Sequence, residues 1–134
     1  MTHDPGSPFQ HHRTLLETLY KHCQSQPPFN TESPSELDQE LMVILETLKN
    51  ATHQSEQFTE LGQLAITRII SHYPHITPAV NRDLFWFFGG DCLHYMGDDE
   101  IERYQQLDEY WYEQQNSDEP IDFATAKSRV FKLH

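Results

Sequence analysis

The segment between Pro78 and Met96 constrains the fold of this chain more than any other stretch of the sequence. Apolar side chains occupy nearly every angle of a helical wheel drawn for it: Val80, Leu84, Phe85, Trp86, Phe87, Phe88, Leu93, Tyr95 and Met96. A helix that is apolar all round is enclosed by other elements. The sequence therefore predicts a central, aromatic-rich helix over residues 78–96 with the rest of the chain packed around it.

The surrounding segments have the pattern of amphipathic helices. Apolar residues recur at spacings of three and four over residues 8–25, 34–50, 56–72, 98–115 and 123–132, and no segment alternates with period two for more than a few residues. Ser-Pro or Thr-Pro pairs at positions 7–8, 33–34 and 77–78 are typical of helix starts. The fold class is therefore all-α, a compact orthogonal or up-down bundle of five to six helices.

Length and composition favour one small intracellular domain. A chain of 134 residues fits a single domain spanning residues 1–134, in which the polar, Pro-containing segments 1–6 and 114–121 are expected to be flexible. There is no signal-peptide pattern and no run of 18 apolar residues. Cys23 and Cys92 lack metal-site spacing and are interpreted as free thiols in a reducing compartment. We therefore expect a cytoplasmic protein.

The charge of the chain excludes some classes of partner. Its 21 acidic and 9 basic residues give a formal net charge of -12, which repels nucleic acid. No segment is suited to a membrane. The remaining partners are a protein, in particular a basic one, or a second copy of the chain in a homodimer.

Two neighbouring glycines interrupt the predicted central helix. Gly89 and Gly90 lack the spacing and the preceding strand of a phosphate-binding loop. Inside a helix they cost about 1 kcal/mol each relative to alanine, so they need a compensating reason. Close approach of a neighbouring helix is the favoured interpretation, and a kink or a backbone-lined ligand pocket are the alternatives.

Polar and reactive side chains follow the glycine pair. Asp91 lies three residues before His94 and four before Tyr95, so in a helix the three side chains can touch. Together with Gly89, Gly90 and Cys92 they form a candidate ligand-binding set. The alternative is that Asp91 is a buried acceptor satisfied by its neighbours and that Cys92 is an inert core thiol. No residue is assigned a catalytic role, and an enzymatic function is disfavoured.

No metal or cofactor is predicted. Di-metal helical bundles use Glu-x-x-His pairs on two helices, and this sequence has no Glu-x-x-His. It has a single Asp-x-x-His, formed by Asp91 and His94.

The most informative surface is predicted on the fifth helix and its extension. Residues 98–119 contain nine acids and one base, interleaved with aromatic residues. Exposed aromatic side chains framed by charge are typical of binding surfaces. The candidate partner-binding residues are Tyr104, Glu109, Tyr110, Tyr112 and Glu113. A solvated acidic face with partly buried tyrosines is the alternative.

The stretch "RDLFWFFGGDCLHYMGDDEIERYQQLDE", from Arg82 to Glu109, resembles an uncharacterised family of small acidic helical proteins from gammaproteobacteria. The resemblance extends over most of the chain and implies no established activity or site residues. Some members have been labelled dehydrogenases, but this sequence has neither a glycine fingerprint nor strands for a nucleotide-binding sheet.

Three functions are compatible with these observations. The first is a non-enzymatic protein-interaction or regulatory module that uses the acidic aromatic surface. The second is a small-molecule or metal-binding helical protein that uses the Asp91/His94 cluster. The third is an inhibitor or immunity-type protein that binds a basic partner.

Overall fold

A computed structural model of the protein describes residues 6–132, so residues 1–5 of the predicted flexible segment lie outside the described residues. The described chain consists of six α-helices and two short 3-10 helices, without strands, which confirms the all-α prediction. The α-helices are α1 (Pro8–Gln24), α2 (Glu36–Lys49), α3 (Glu56–His72), α4 (Arg82–Phe88), α5 (Asp98–Gln115) and α6 (Phe123–Lys132). The 3-10 helices are Thr77–Ala79 and Gly90–Tyr95.

Side-chain caps explain where several of these helices begin. The hydroxyls of Ser7, Ser35 and Ser55 each accept a hydrogen bond, 3.1 Å long, from the backbone N–H three residues later. Asp122 accepts an equivalent bond of 2.7 Å at the start of α6. Each cap stabilises its helix by about 1 kcal/mol. The start predicted at Ser33-Pro34 lies two residues later, because Ser35 and Asp38 form a reciprocal capping box there.

The buried apolar side chains of all six helices form one continuous core. Helix α2 packs against α1 and α3, α6 packs against α5, and α4 contacts both α1 and α3. Among the described residues, no helix combines the length and the apolar character needed to cross a membrane.

The prediction of one continuous helix over residues 78–96 was wrong. The backbone forms a 3-10 turn at Thr77–Ala79, then α4, and then a second 3-10 helix from Gly90 to Tyr95. Asn81 begins α4, since its side chain accepts a 2.8 Å hydrogen bond from the backbone of Asp83. The segment is therefore buried only in part, with Leu84, Phe85 and Phe88 in the core.

The glycine pair ends α4. Gly89 has φ 64° and ψ -146°, a conformation that is essentially restricted to glycine, and Gly90 has φ 57°. The break corresponds to the kink alternative rather than to two glycines inside a helix. Close approach is also present, because a Cβ at Gly90 would lie 2.6 Å from Nε2 of Gln63 on α3. That same nitrogen donates a 2.8 Å hydrogen bond to the carbonyl of Phe88.

Candidate functional site

The candidate ligand-binding residues after the glycine pair do not converge on one site. The side chains of Asp91 and His94 are 89% and 79% exposed, and the carboxylate oxygen and Nε2 are 3.9 Å apart. The expectation that Asp91 is a buried acceptor was therefore wrong, because the 3-10 helix turns this side chain outward. The two residues form a solvated pair, which contributes little to stability.

The other members of this set face in different directions. Cys92 is buried in the core, where burial and then the charge of Asp91 raise the pKa of its thiol to about 11. Such a thiol stays protonated, as expected for an inert core cysteine. Tyr95 is exposed, and its ring contacts the ring of Phe85. Gly90 is backed by the side chain of Gln63.

The residues predicted to bind a partner separate into two groups on α5. Tyr104 is buried, so it is not available on the surface as predicted. Tyr110 is half-buried, and its hydroxyl accepts a 3.1 Å hydrogen bond from Arg129 of α6. Glu109, Tyr112 and Glu113 are exposed. Three of the five predicted residues are therefore exposed and available to a partner.

The exposed residues of α5 form a continuous acidic stripe, which we define as Asp98, Glu102, Gln105, Glu109 and Tyr112. Their spacings of four, three, four and three residues place them along one side of the helix, and all five are exposed. The stripe ends at Tyr112, whose side chain is 72% exposed. None of its three acids makes an ion pair with another described residue.

Other acids of α5 have partners within the fold. Glu100 accepts two hydrogen bonds from the guanidinium of Arg82, at 2.9 and 2.7 Å. Asp108 accepts a 2.9 Å bond from the indole N–H of Trp86. These contacts hold α5 against α4, whereas the acidic stripe faces solvent.

A second cluster is centred on a buried carboxylate that sequence reasoning did not identify. Asp83 is 1% exposed and lies in the first turn of α4. Its Oδ1 accepts a 2.6 Å hydrogen bond from the hydroxyl of Tyr104. Its Oδ2 lies 2.9 Å from Nε2 of His11 and 2.8 Å from Nζ of Lys127, which is also 2.7 Å from Oδ1. Helices α1, α4, α5 and α6 therefore meet at one carboxylate.

The partners of Asp83 keep it ionised. Burial alone would raise the pKa of Asp83, but the hydrogen bonds from His11, Lys127 and Tyr104 hold this pKa well below its usual range. Burial, together with the adjacent carboxylate, raises the pKa of Tyr104. Tyr104 therefore stays a hydrogen-bond donor, and the cluster is a satisfied ion pair rather than a pair of proton-transfer groups.

His12 lies beside this cluster and is neutral. Burial lowers the pKa of His12 to about 4. Its ring stacks on Phe87 with centroids 3.9 Å apart and planes within 1° of parallel. Its Nδ1 lies 2.6 Å from the carbonyl oxygen of Pro8, so Nδ1 carries the proton and donates it to this acceptor.

This second cluster also brings together metal-ligating groups. Ligand atoms of His11, His12 and Asp83, one from each residue, all lie within 4.8 Å of one another. Next to His11 is an open cavity of about 250 Å³, which is also lined by Thr14 and Asp122.

The sequence contained little that could have revealed this cluster. His11 and Lys127 lie 72 and 44 residues from Asp83, so no local spacing connects them. The one available signal was an acid placed directly before the apolar run Leu84–Phe88, where burial would require partners.

Comparison with known proteins identifies the family of the chain. A family model described as PA2817-like matches residues 6–134. The chain belongs to the PA2817-like family. No curated protein and no solved structure matches it. Membership of the PA2817-like family agrees with the resemblance to an uncharacterised family, and it assigns no activity to the residues described above.

Proposed function

We propose that this protein is a non-enzymatic interaction module that binds a basic protein partner through its acidic stripe. The observation that carries the proposal is Tyr112, an aromatic side chain that is 72% exposed at the end of a row of unpaired acids. A tyrosine can bury a large area at small entropic cost, and such residues dominate the binding energy of many interfaces.

The electrostatics favour a basic partner. Asp98, Glu102 and Glu109 make no ion pair among the described residues, so a partner's cations need not displace internal ones. The net charge of -12 adds a field that steers a basic protein towards any face of the molecule. The stripe then determines which face the partner binds.

The proposed compartment is the cytoplasm. Cys23 and Cys92 are both buried free thiols, and burial raises the pKa of each to about 11. Free, protonated thiols are ordinary in a reducing compartment, where no disulfide framework is required.

Paired charge reversals test the proposed surface. Tagged protein carrying Glu102→Lys and Glu109→Lys is compared with a control carrying Glu17→Lys and Glu60→Lys, which are exposed on α1 and α3. Both variants change the net charge equally. We expect the α5 variant to lose a partner that copurifies with the wild-type protein, and the control to retain it. Equal weakening of both would show that binding follows net charge and not the stripe.

Two further measurements characterise the binding. Affinity for the isolated partner should fall as salt concentration rises, because exposed charges are screened. Tyr112→Ala should weaken binding by about 1–2 kcal/mol without changing this salt dependence much. A salt-independent interaction would contradict the proposed charge complementarity.

The alternative functions differ in their readouts. An inhibitor or immunity-type protein would use the same stripe, but its basic partner would lose an activity on binding. A homodimer would be revealed by sedimentation and would be disrupted by the same reversals. A ligand site at Asp91 and His94 would give a thermal shift that Asp91→Asn and His94→Ala abolish. The exposed stripe supports the interaction module over the ligand site at Asp91 and His94, and the readouts above separate it from an inhibitor and from a homodimer.

A further inference from the structure

The cluster around Asp83 has the composition of a metal site as well as that of an ion pair. Two imidazoles and one carboxylate provide ligand atoms that lie within 4.8 Å of one another. This donor set suits Zn²⁺ and related ions. We propose that His11, His12 and Asp83 bind a divalent transition-metal ion of the Zn²⁺ type, in exchange for the ammonium group of Lys127.

The spacing of the ligand atoms is close to what such an ion requires. Zn–N and Zn–O bonds of about 2.0–2.2 Å place the ligands of a tetrahedral ion about 3.3–3.5 Å apart. In the structure, Nε2 of His11 and Oδ2 of Asp83 are 2.9 Å apart. This pair would have to separate by about 0.5 Å, and no pair of the three ligand atoms, all within 4.8 Å of one another, would have to close by more than about 1.5 Å.

His12 is oriented as a metal ligand is oriented in known sites. A ligating histidine usually donates its second ring N–H to a carbonyl or carboxylate, which fixes the tautomer. The Nδ1 of His12 donates to the carbonyl of Pro8 at 2.6 Å, which leaves the lone pair on Nε2. Stacking on Phe87 fixes the plane of the ring.

In the metal-free protein, the ammonium of Lys127 is the cation that pairs with Asp83. Its ammonium contacts both oxygens of Asp83, at 2.7 and 2.8 Å, and a metal ion on the same carboxylate would repel it. The side chain of Lys127 is 29% exposed, so its ammonium can move out to water. Binding of the ion and contact with Lys127 are therefore mutually exclusive.

The ion has a route to the site. The side chain of His11 is 20% exposed, and its ring lines the open cavity of about 250 Å³ next to α6. This cavity has room for water molecules, which can complete the coordination of an ion held by three protein ligands. The proposed site uses none of the residues of the acidic stripe, so it stands independently of the proposed protein partner.

The test is titration of metal-free protein with ZnCl₂ by calorimetry, with CoCl₂ absorption spectra as a second readout of coordination. Wild-type protein should bind one ion per chain. Lys127→Met should bind it about tenfold more tightly, because the competing charge is removed. His11→Ala should weaken binding at least about tenfold. Circular dichroism verifies that each variant is folded.

The matched control is an exposed histidine elsewhere. His94→Ala, in the solvated pair with Asp91, should leave the affinity for Zn²⁺ unchanged. Wild-type protein that takes up no stoichiometric Zn²⁺ would overturn the proposal. So would binding that is unaffected by His11→Ala, binding that Lys127→Met does not strengthen, or binding that His94→Ala abolishes.

Discussion

The ring of Phe88 on α4 occupies the position where a side chain at Gly62 of α3 would begin. A Cβ at Gly62 would lie 2.1 Å from Cε1 and 2.2 Å from Cδ1 of this ring. Real Cβ atoms do not come that close to other heavy atoms, so a glycine is needed here for α3 and α4 to pack. The contact fixes how the short helix α4 lies on the longer helix α3.

The first prediction is that Gly62→Ala destabilises the protein by about 1–3 kcal/mol or more, because Phe88 or a backbone must move. Alanine is the better helix former, so helix propensity alone would give the opposite sign. Gly97→Ala is the control, since nothing lies within 4 Å of a Cβ at that position. Urea denaturation measures both variants. A Gly62→Ala variant as stable as the wild type would contradict the close contact between Gly62 and Phe88.

The second prediction concerns backbone conformation and not space. A Cβ at Gly89 would have only the carbonyl oxygen of Trp86 nearby, at 3.9 Å. Its φ of 64° and ψ of -146° are nevertheless unfavourable for any other residue. Gly89→Ala should therefore cost about 1–3 kcal/mol of unfolding free energy, again measured against Gly97→Ala. A loss no larger than that of this control would show that the break at Gly89 is not required.

The third prediction concerns the buried carboxylate. Asp83→Asn should destabilise the protein by about 3 kcal/mol, because it removes the charge and replaces one accepting oxygen with an amide NH2, which cannot accept the hydrogen bonds that the carboxylate receives from His11, Tyr104 and Lys127. Lys127→Met should also destabilise the protein, because it leaves the buried charge of Asp83 with only the hydrogen bonds from His11 and Tyr104. Asp91→Asn, at an exposed position, should change the stability by less than about 0.5 kcal/mol. Equal costs at positions 83 and 91 would contradict the described network.

The same carboxylate predicts a dependence of stability on strongly acidic pH. The pKa of Asp83 is lower in the folded protein than its ordinary value, so its contribution is complete above about pH 4. That contribution is lost as the pH falls through the folded pKa. In Asp83→Asn this loss should be absent, which acid denaturation followed by circular dichroism would detect.

The fourth prediction concerns the stability of the protein in a separate and less acidic range of pH. The pKa of His12 is lowered to about 4 in the folded protein, against about 6.5 when unfolded. The unfolded chain therefore binds an additional proton between these values, and stability should fall by about 3 kcal/mol as the pH is lowered from about 6.5 to about 4. His12→Gln should flatten this slope, and His94→Gln should retain it. The midpoint of urea denaturation, measured for the wild type and both variants across this pH range, tests the prediction.

The parts of the fold that sequence reasoning predicted correctly depend on local signals. Helices α1, α3, α5 and α6 begin and end within a residue of the predicted positions, because caps and periodicity act over a few neighbouring residues. The helix predicted over 78–96 was wrong because apolar periodicity does not report backbone dihedrals. Gly89 and Gly90 allowed either a helix or a break. The packing of Phe88 on Gly62 and the hydrogen bond from Gln63 to the carbonyl of Phe88, both with α3, accompany the break.

The residues of the candidate sites were harder to predict from the sequence than the helices were. The acidic stripe follows from helical spacing along α5. The predicted partner-binding residues Glu109, Tyr112 and Glu113 are exposed. Tyr104 lies on the inward side of α5, and its hydroxyl bond to Asp83, a residue 21 positions away, could not be predicted. Such a pairing depends on tertiary structure, and no pattern along a single chain contains it.

The position of Asp83 also has a consequence for biosynthesis. During translation, Asp83 is synthesised 44 residues before Lys127. Until Lys127 is added, the carboxylate of Asp83 is either solvated or buried without this partner. The native interior is thus completed only when the last described helix is added. A chain interrupted before Lys127 would lack both this ammonium and most of α6, and Asp83 would keep only His11 and Tyr104 as partners.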